Sequence, residues 1–340
     1  MMKGNKDIYI LAVETSCDET AAAVTKNGLQ VLSNVVASQV DWHSKFGGVV
    51  PELASRKHLE FVNPVLTEAL QESGVDIEQI DAVAVTYGPG LVGSLLVGLS
   101  AAKTFSYIQE VPLIGVNHIT GHIYANFISH PEIETPVICL TVSGGHTDLL
   151  YFEDLQGYEI LGRTRDDAAG EAFDKVARFL DLGYPGGPAI EELAREGNPE
   201  TVDFPQAQFK DNTFDFSFSG LKTAVINYVH NKKQKGEKLK TADIAASFQQ
   251  TVIDMLTKNV VRAAREYQVK SVVLSGGVAA NQEFRHQLEN QVAEEGLSLF
   301  YPELKYCTDN AAMIGAAAYY QYLQQDFAAL NINPEPGLKL

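Results

Sequence analysis

A strand–turn–strand unit occurs twice in this chain, and the repeat restricts the folds open to it. The apolar run Ile8–Val13 leads into Glu14-Thr15-Ser16-Cys17-Asp18-Glu19-Thr20 and then Ala21–Val24. Roughly 130 residues later, Val137–Val142 leads into Ser143-Gly144-Gly145-His146-Thr147 and then Asp148–Phe152. Each reads as a hairpin, because short apolar runs flank a small polar turn. A hairpin that recurs at this distance predicts two related halves. Elsewhere short β-rich runs alternate with helical patterns, which makes the fold class α/β. A third apolar run, Ser271–Leu274, enters Ser275-Gly276-Gly277-Val278-Ala279-Ala280-Asn281 and then a helical stretch.

Two long helices are legible in the spacing of apolar residues. Val62, Val65, Leu66, Ala69 and Leu70 mark one face of a helix over Pro51–Gln71, with Pro64 expected to kink or restart it. Phe248, Val252, Met255 and Leu256 mark another within Thr241–Tyr267. The most apolar long stretch, Leu91–Ile108, carries Ser94, Ser100, Lys103, Thr104 and Ser106. It therefore reads as a buried helix of a soluble protein and not as a membrane span. His230–Lys240, with five lysines and little apolar content, reads as an exposed loop, either a solvated linker or a contact for an anionic partner.

Bulk properties exclude some functions. A length of 340 residues fits two domains. The net charge of −17 argues against a broad basic surface for nucleic acid, so a nucleic-acid substrate would need a local patch or a basic partner. Cys17, Cys139 and Cys307 form no C-x-x-C pair, and a reduced cytoplasm is the expected setting. Glu14, Asp18 and Glu19 directly follow the first apolar run, which excludes a signal peptide there.

Chemistry concentrates in a few places. His118 and His122 are four residues apart, so on a helix both imidazoles leave one face and can share a metal ion. The pair alone fits two ordinary histidines near a helix start better than a metal site. Gly121 between them adds weight, because a helical glycine costs about 1 kcal/mol relative to alanine and signals a close approach to the backbone. Two histidines leave a site too open. Asp309 is the best third ligand, with helix N-cap as its competing role, and Cys307 is also available. Ile119 stands where a zinc protease of the H-E-x-x-H type carries its glutamate, which removes most support for a metalloprotease. Four Gly-Gly pairs, Gly47-Gly48, Gly144-Gly145, Gly186-Gly187 and Gly276-Gly277, can bring backbone N–H groups to an oxyanion. None fits a P-loop or a dinucleotide fingerprint. Asp174, on an expected helix, could take a ribose hydroxyl or pair with Lys175 or Arg178.

Together these segments resemble the universal tRNA N6-adenosine threonylcarbamoyltransferase family, whose members were once taken for glycoproteases. The matching blocks are Glu14–Thr20, Phe46–His58, Asn117–His122, Val142–Thr147, Gly170–Lys175, Tyr184–Pro188, Phe216–Ala224, Ser275–Asn281 and Cys307–Gly315. The resemblance implies two related actin/Hsp70-like (ribonuclease H-like) lobes with the active site in the cleft between them. Residues 1–132 would form the N-terminal lobe, with a helix over 314–330 packing on it, and residues 133–313 the C-terminal lobe. It also implies transfer of threonylcarbamoyl from threonylcarbamoyl-AMP to N6 of adenosine 37 in tRNAs that read codons beginning with A. His118, His122 and Asp309 would bind one divalent metal ion, iron or zinc, that polarises the carbamoyl carbonyl. Thr141, Val142, Ser143, Gly144 and Gly145 would hold the donor's phosphate and acyl part. Asp174, Gly187, Glu191 and Asn281 would hold its adenosine. Asp18 or Glu14 would take the proton leaving N6. The expected partners are a non-catalytic paralogue of the same fold and a small P-loop ATPase, with no membrane. The rival within the same fold group is a metal-independent ATPase or small-molecule kinase. The resemblance assigns no role to Phe216–Ala224.

Overall fold

In a computed structural model that describes residues 6–46, 48–155, 157–207, 209, 211 and 213–340, the chain divides into two compact units. The first contains residues up to Glu132 together with Pro302–Leu340, and the second contains Ile133–Tyr301.

The first unit begins with a meander of β1 (Tyr9–Glu14), β2 (Glu19–Lys26) and β3 (Gln30–Ser38). The short α1 (Val40–His43) and the long α2 (Pro51–Ser73) follow, then β4 (Ala82–Gly88), α3 (Val92–Gln109), β5 (Leu113–Asn117) and α4 (His118–Ser129). Sheet order is β3-β2-β1-β4-β5. β1 pairs antiparallel with β2 and parallel with β4. Leu11, Val13, Val24, Val83, Val85 and Leu99 form its core. β1 and β4 are buried almost throughout, as expected of strands covered on both faces.

The second unit repeats the plan. Its meander is β6 (Val137–Val142), β7 (Thr147–Phe152) and β8 (Glu159–Arg163). Then come α5 (Ala169–Phe179), α6 (Gly186–Ala194), α7 (Ser219–Gln234), α8 (Thr241–Glu266), β9 (Ser271–Ser275), α9 (Gln282–Glu294) and β10 (Ser298–Phe300). Sheet order is β10-β9-β6-β7-β8, with β6 antiparallel to β7 and parallel to β9. Each unit is thus an antiparallel meander extended by two parallel strands on the side of its first strand. The halves inferred from the repeated hairpin are the same topology built twice.

The chain returns to the first unit at Pro302. Glu303 N–H donates to Ser129 Oγ at 3.1 Å just before α10 (Leu304–Cys307), and Ala312 N–H in α11 (Ala311–Leu323) donates to Asn34 Oδ1 at 3.2 Å. Helix α11 packs on α4 at Gly121. A Cβ there would lie 2.7 Å from Ile314 Cδ1 and 3.2 Å from Met313 Cγ, so the close approach that this glycine signals is a helix and not a ligand.

Three local expectations differ from the structure. Helix α2 does not restart at Pro64, whose position is exposed, so the Glu60 carbonyl it leaves without an N–H partner can turn to water. His230–Gln234 are helical, the last residues of α7. Lysine is a good helix former, and Val225 and Val229 anchor the preceding turns. Helix α3 is only half buried: Val92, Leu96, Tyr107 and Ile108 are exposed. No helix among the described residues is long and apolar enough to cross a membrane.

Candidate metal centre and nucleotide cradle

Helix α4 begins where Asn117 accepts N–H bonds from Ile119 at 2.9 Å and Thr120 at 3.4 Å, and this cap sets His118 at the first helical position. His122 follows one turn later, and the two ring centroids are 4.7 Å apart. The cap of α11 is Asn310, whose Oδ1 accepts Met313 N–H at 3.0 Å. The competing N-cap role for Asp309 therefore falls to its neighbour. Asp309 Oδ1 lies 3.2 Å from His122 Nε2 and 3.4 Å from His118 Nε2. One ligand atom from each of these three residues falls within 4.8 Å of the others, a span that one cation can bridge.

The donor set fits a divalent metal. Two neutral imidazole nitrogens and one carboxylate oxygen suit zinc or iron, and three protein ligands leave coordination positions open. Cys307 is not part of the set, because its Sγ faces the Pro302 and Glu303 carbonyls at 3.5 and 3.6 Å.

Glu14 supports the set from behind. Its carboxylate is fully buried and takes Ser16 N–H and Thr86 Oγ–H, each at 2.5 Å, and His118 Nδ1–H at 2.9 Å. Ser16 Oγ is a further 3.2 Å from the same Nδ1. With Nδ1 protonated, His118 presents Nε2 towards Asp309, and a carboxylate partner makes that nitrogen a better ligand. The Glu14 carboxylate is thus closed off from solvent and engaged by three donors. Asp18, half buried in the same turn, keeps a more open position, and its carbonyl accepts Gln39 N–H at 3.0 Å. Buried His58 braces the turn by bonding Thr20 Oγ1 at 2.8 Å and the Cys17 carbonyl at 3.0 Å.

Electrostatics follow from burial among opposite charges. Burial lowers the His118 pKa, but the Asp309 and Glu14 carboxylates overcome this and raise it well above the ordinary 6.5. Burial would raise Asp309, yet the two imidazoles hold it far below the usual carboxylate range. Burial together with Asp18 and Asp309 pushes Glu19 up to about 8.

The second unit gathers the glycine turns around the start of α5. Gly170 N–H donates to the Ser143 carbonyl at 3.2 Å, and a Cβ on Gly170 would sit 2.5 Å from that oxygen. Gly276, at φ +85°, presses on the Val142 carbonyl, and Gly186 presses on Asp174. Each of these three contacts requires glycine. Gly144, Gly145, Gly187 and Gly277 instead have open space where a Cβ would stand. Ser143 N–H and Oγ close the turn with His146, and the N–H groups of Gly144 and Gly145 have no protein acceptor among the described residues. These are features of an anion cradle.

The remaining expected residues have structural partners as well. Thr141 and Val142 lie inside β6 with buried side chains, and Thr141 Oγ1 is 2.8 Å from Ser275 Oγ. Asp174 accepts Gly186 N–H at 2.8 Å; burial raises its pKa against that bond and the nearby Arg178 charge. Asn281 caps α9 through Phe284 N–H at 2.8 Å, and its Nδ2 donates to Gln249. Glu191 accepts Gln282 N–H at 2.9 Å at the same helix start. Gly47 lies outside the described residues.

The segment Phe216–Ala224 acquires a role. Asp166 accepts bonds from Ser217 Oγ, Ser219 Oγ and the Phe218 and Ser219 N–H groups, so it caps α7 from a distant loop. Asp167 pairs with Lys175 and Lys222. Phe216 and Phe218 are buried, a term of about 1.5–3 kcal/mol each. The segment fixes the loop that leads into α5, and hence the cradle. Ser16, Thr86, Asn117 and Asp166 were not singled out from the sequence. Asn117 alone carried a local signal, a capping residue just before the histidine pair.

Comparison with known proteins places the chain in a family. A family model described as tRNA N6-adenosine threonylcarbamoyltransferase matches residues 30–316. A protein of that name from Moorella thermoacetica is 56% identical over 331 residues, covering 97% of both chains. One from Clostridium kluyveri is 54% identical over 337 residues, covering 99% of both. Among solved structures, HypF from T. kodakarensis superposes with a TM-score of 0.67 at 16% identity, over 94% of this chain and 48% of that one, so this chain spans about half of HypF. Component A of the Acidaminococcus fermentans (R)-2-hydroxyglutaryl-CoA dehydratase gives 0.53 at 16% identity, over 94% and 99%. At such identities these two structures speak for the fold alone, while the sequence relatives carry the assignment: the chain belongs to the tRNA N6-adenosine threonylcarbamoyltransferase family.

Proposed function

We propose that this transferase moves threonylcarbamoyl from threonylcarbamoyl-AMP to N6 of adenosine 37 in tRNAs reading codons that begin with A, using a divalent metal held by His118, His122 and Asp309. The observation that carries the metal assignment is the convergence of these three ligand atoms within 4.8 Å. A bound divalent ion supplies Lewis-acid polarisation of the carbamoyl carbonyl, which the weakly nucleophilic N6 amine requires. Glu14 keeps the His118 ring turned so that Nε2 remains the ligand. The N–H groups of Gly144 and Gly145 take the donor's phosphate and the charge that grows on it as AMP leaves. Gly187 leaves room for the adenosine beside Asp174, with Glu191 and Asn281 at the start of α9. Asp18 would accept the proton lost by N6. The metal is iron or zinc, which share this ligand chemistry.

Surface and charge support the partners that the family resemblance implies. Helices α2 and α3 border an open apolar groove of about 610 Å³ lined by Leu59, Leu66, Leu96 and Ile108. It would receive the non-catalytic paralogue, while a small P-loop ATPase completes the set. A chain at −17 needs added positive field for tRNA. Lys233, Lys235 and Lys238, with Arg56, Lys57 and the partner subunits, would supply it in the cytoplasm. Lys57, Lys232 and Lys240 contribute less, being paired with Glu60, Glu237 and Asp243. The assignment is tested with purified His118→Ala: it should lose bound metal and tRNA modification together, and unchanged metal content would refute the ligand set.

A further inference from the structure

Residues 326–340 run along the first unit and end beside the metal helix. Ala328 N–H donates to the Leu113 carbonyl at 2.8 Å, and Lys103 Nζ donates to the Ile332 carbonyl. Glu335 N–H then donates to the Tyr87 carbonyl at 2.7 Å, and the Pro336 carbonyl accepts Gly90 N–H at 3.2 Å. The fit at Gly88 is close: a Cβ there would stand 2.2 Å from the Glu335 carbonyl oxygen and 2.7 Å from Leu338 Cβ. Finally the Lys339 carbonyl accepts Asn117 Nδ2–H at 3.2 Å.

These contacts fall on the supports of His118. Asn117 uses Oδ1 to cap α4 and Nδ2 to hold Lys339, so one amide links the segment to the helix that carries both histidines. The segment Tyr87–Gly90, the end of β4 and the turn after it, lies between Thr86, which donates to Glu14, and Leu91, whose N–H donates to the Ser16 carbonyl at 2.8 Å. Glu14 and Ser16 are the two groups at His118 Nδ1.

We propose that Asn117 and residues 335–339 are positioning residues of the metal centre, acting on His118 through the α4 cap and through the loop behind Glu14. The proposal rests on the metal reading given above. Losing the link leaves the ligands in place but frees the helix start and the ring to turn. Outer groups that orient a ligating histidine change metal affinity by about 10–100-fold, and a group one bond further out is expected at about tenfold.

The test compares four full proteins: the unaltered chain, Asn117→Asp, a chain ending at Pro336, and the two changes combined. Asn117→Asp keeps the cap acceptor, removes the donor to Lys339 and adds a negative charge. An added carboxylate would by itself tighten cation binding, so a weakening is diagnostic. Zn(II) affinity is measured by chelator competition, and Co(II) absorption reports ligand geometry. The expected result is a loss of about tenfold in each single change, an altered Co(II) band, and no further loss in the combination, with metal-free Asn117→Asp melting as the unaltered chain does. Unaltered affinity in Asn117→Asp, or losses that multiply in the combination, would overturn the proposal. If the shortened chain fails to fold, Asn117→Asp decides alone. Absence of Zn(II) binding by the unaltered chain would refute the metal reading itself, an outcome distinct from equal binding by all four.

Discussion

Glu14 Oε2 stands 2.9 Å from His118 Nδ1, on the far side of the ring from Asp309. That bond joins the first hairpin turn to the start of α4. Glu14→Gln should weaken metal binding about 10–100-fold while leaving all three ligands present. Competition with a chelator measures this directly, and an unchanged affinity would show that the bond orients nothing.

The same contact makes the metal-free protein sensitive to pH. The folded-state pKa of His118 lies well above 6.5, because Asp309 and Glu14 outweigh its burial. A raised pKa means that the folded protein holds this proton more tightly than the unfolded chain. The stabilisation is fully present below pH 6.5 and is lost as pH rises through the folded value. Thermal melts in chelator should therefore fall from pH 6.5 upwards, and His118→Asn should flatten the slope. Equal slopes in the two proteins would contradict the ion-pair geometry.

Two glycines of the cradle should respond in opposite ways. A Cβ on Gly170 meets the Ser143 carbonyl at 2.5 Å, a backbone clash, so Gly170→Ala should cost about 1–3 kcal/mol of stability. Gly187 has open space in a helix, so Gly187→Ala should leave stability equal or slightly higher. Calorimetric titration with AMP should nevertheless show weaker binding to Gly187→Ala. If AMP binds that variant normally, the open space is not the nucleotide's.

Replacing Lys233, Lys235 and Lys238 with glutamine should weaken tRNA binding and reduce the slope of log affinity against log salt. The reduction should be about 0.7–0.9 for each phosphate left unneutralised. Binding measured from low to moderate salt checks this. Identical slopes would assign the lysines to a solvated helix end and loop.

Much of this was legible in the sequence, and the reasons are physical. The two hairpins are local, so short continuous apolar runs and small turn residues marked them, and the repeat predicted the duplicated sheet. His118 and His122 share a helix turn, which spacing alone can show. Asp309 was ambiguous because cap and ligand favour the same residue type; Asn310 resolved it by taking the cap. Thr86 was out of reach, since its bond to Glu14 spans 72 positions and leaves no local pattern. The lysines after His230 suggested a loop because apolar spacing stops there, although helical backbone continues to Gln234. Gly121 did signal a close approach, but the partner is α11.

The most direct test of the central claim is mass spectrometry of tRNA nucleosides after incubation with threonylcarbamoyl-AMP and the partner proteins. It compares the enzyme as purified, stripped of metal, and resupplied with iron or zinc. The account predicts threonylcarbamoyladenosine from the first, little or none from the second, and recovery in the third. Full product from the stripped enzyme, or none from the resupplied one, would contradict a metal-dependent transfer centred on His118, His122 and Asp309.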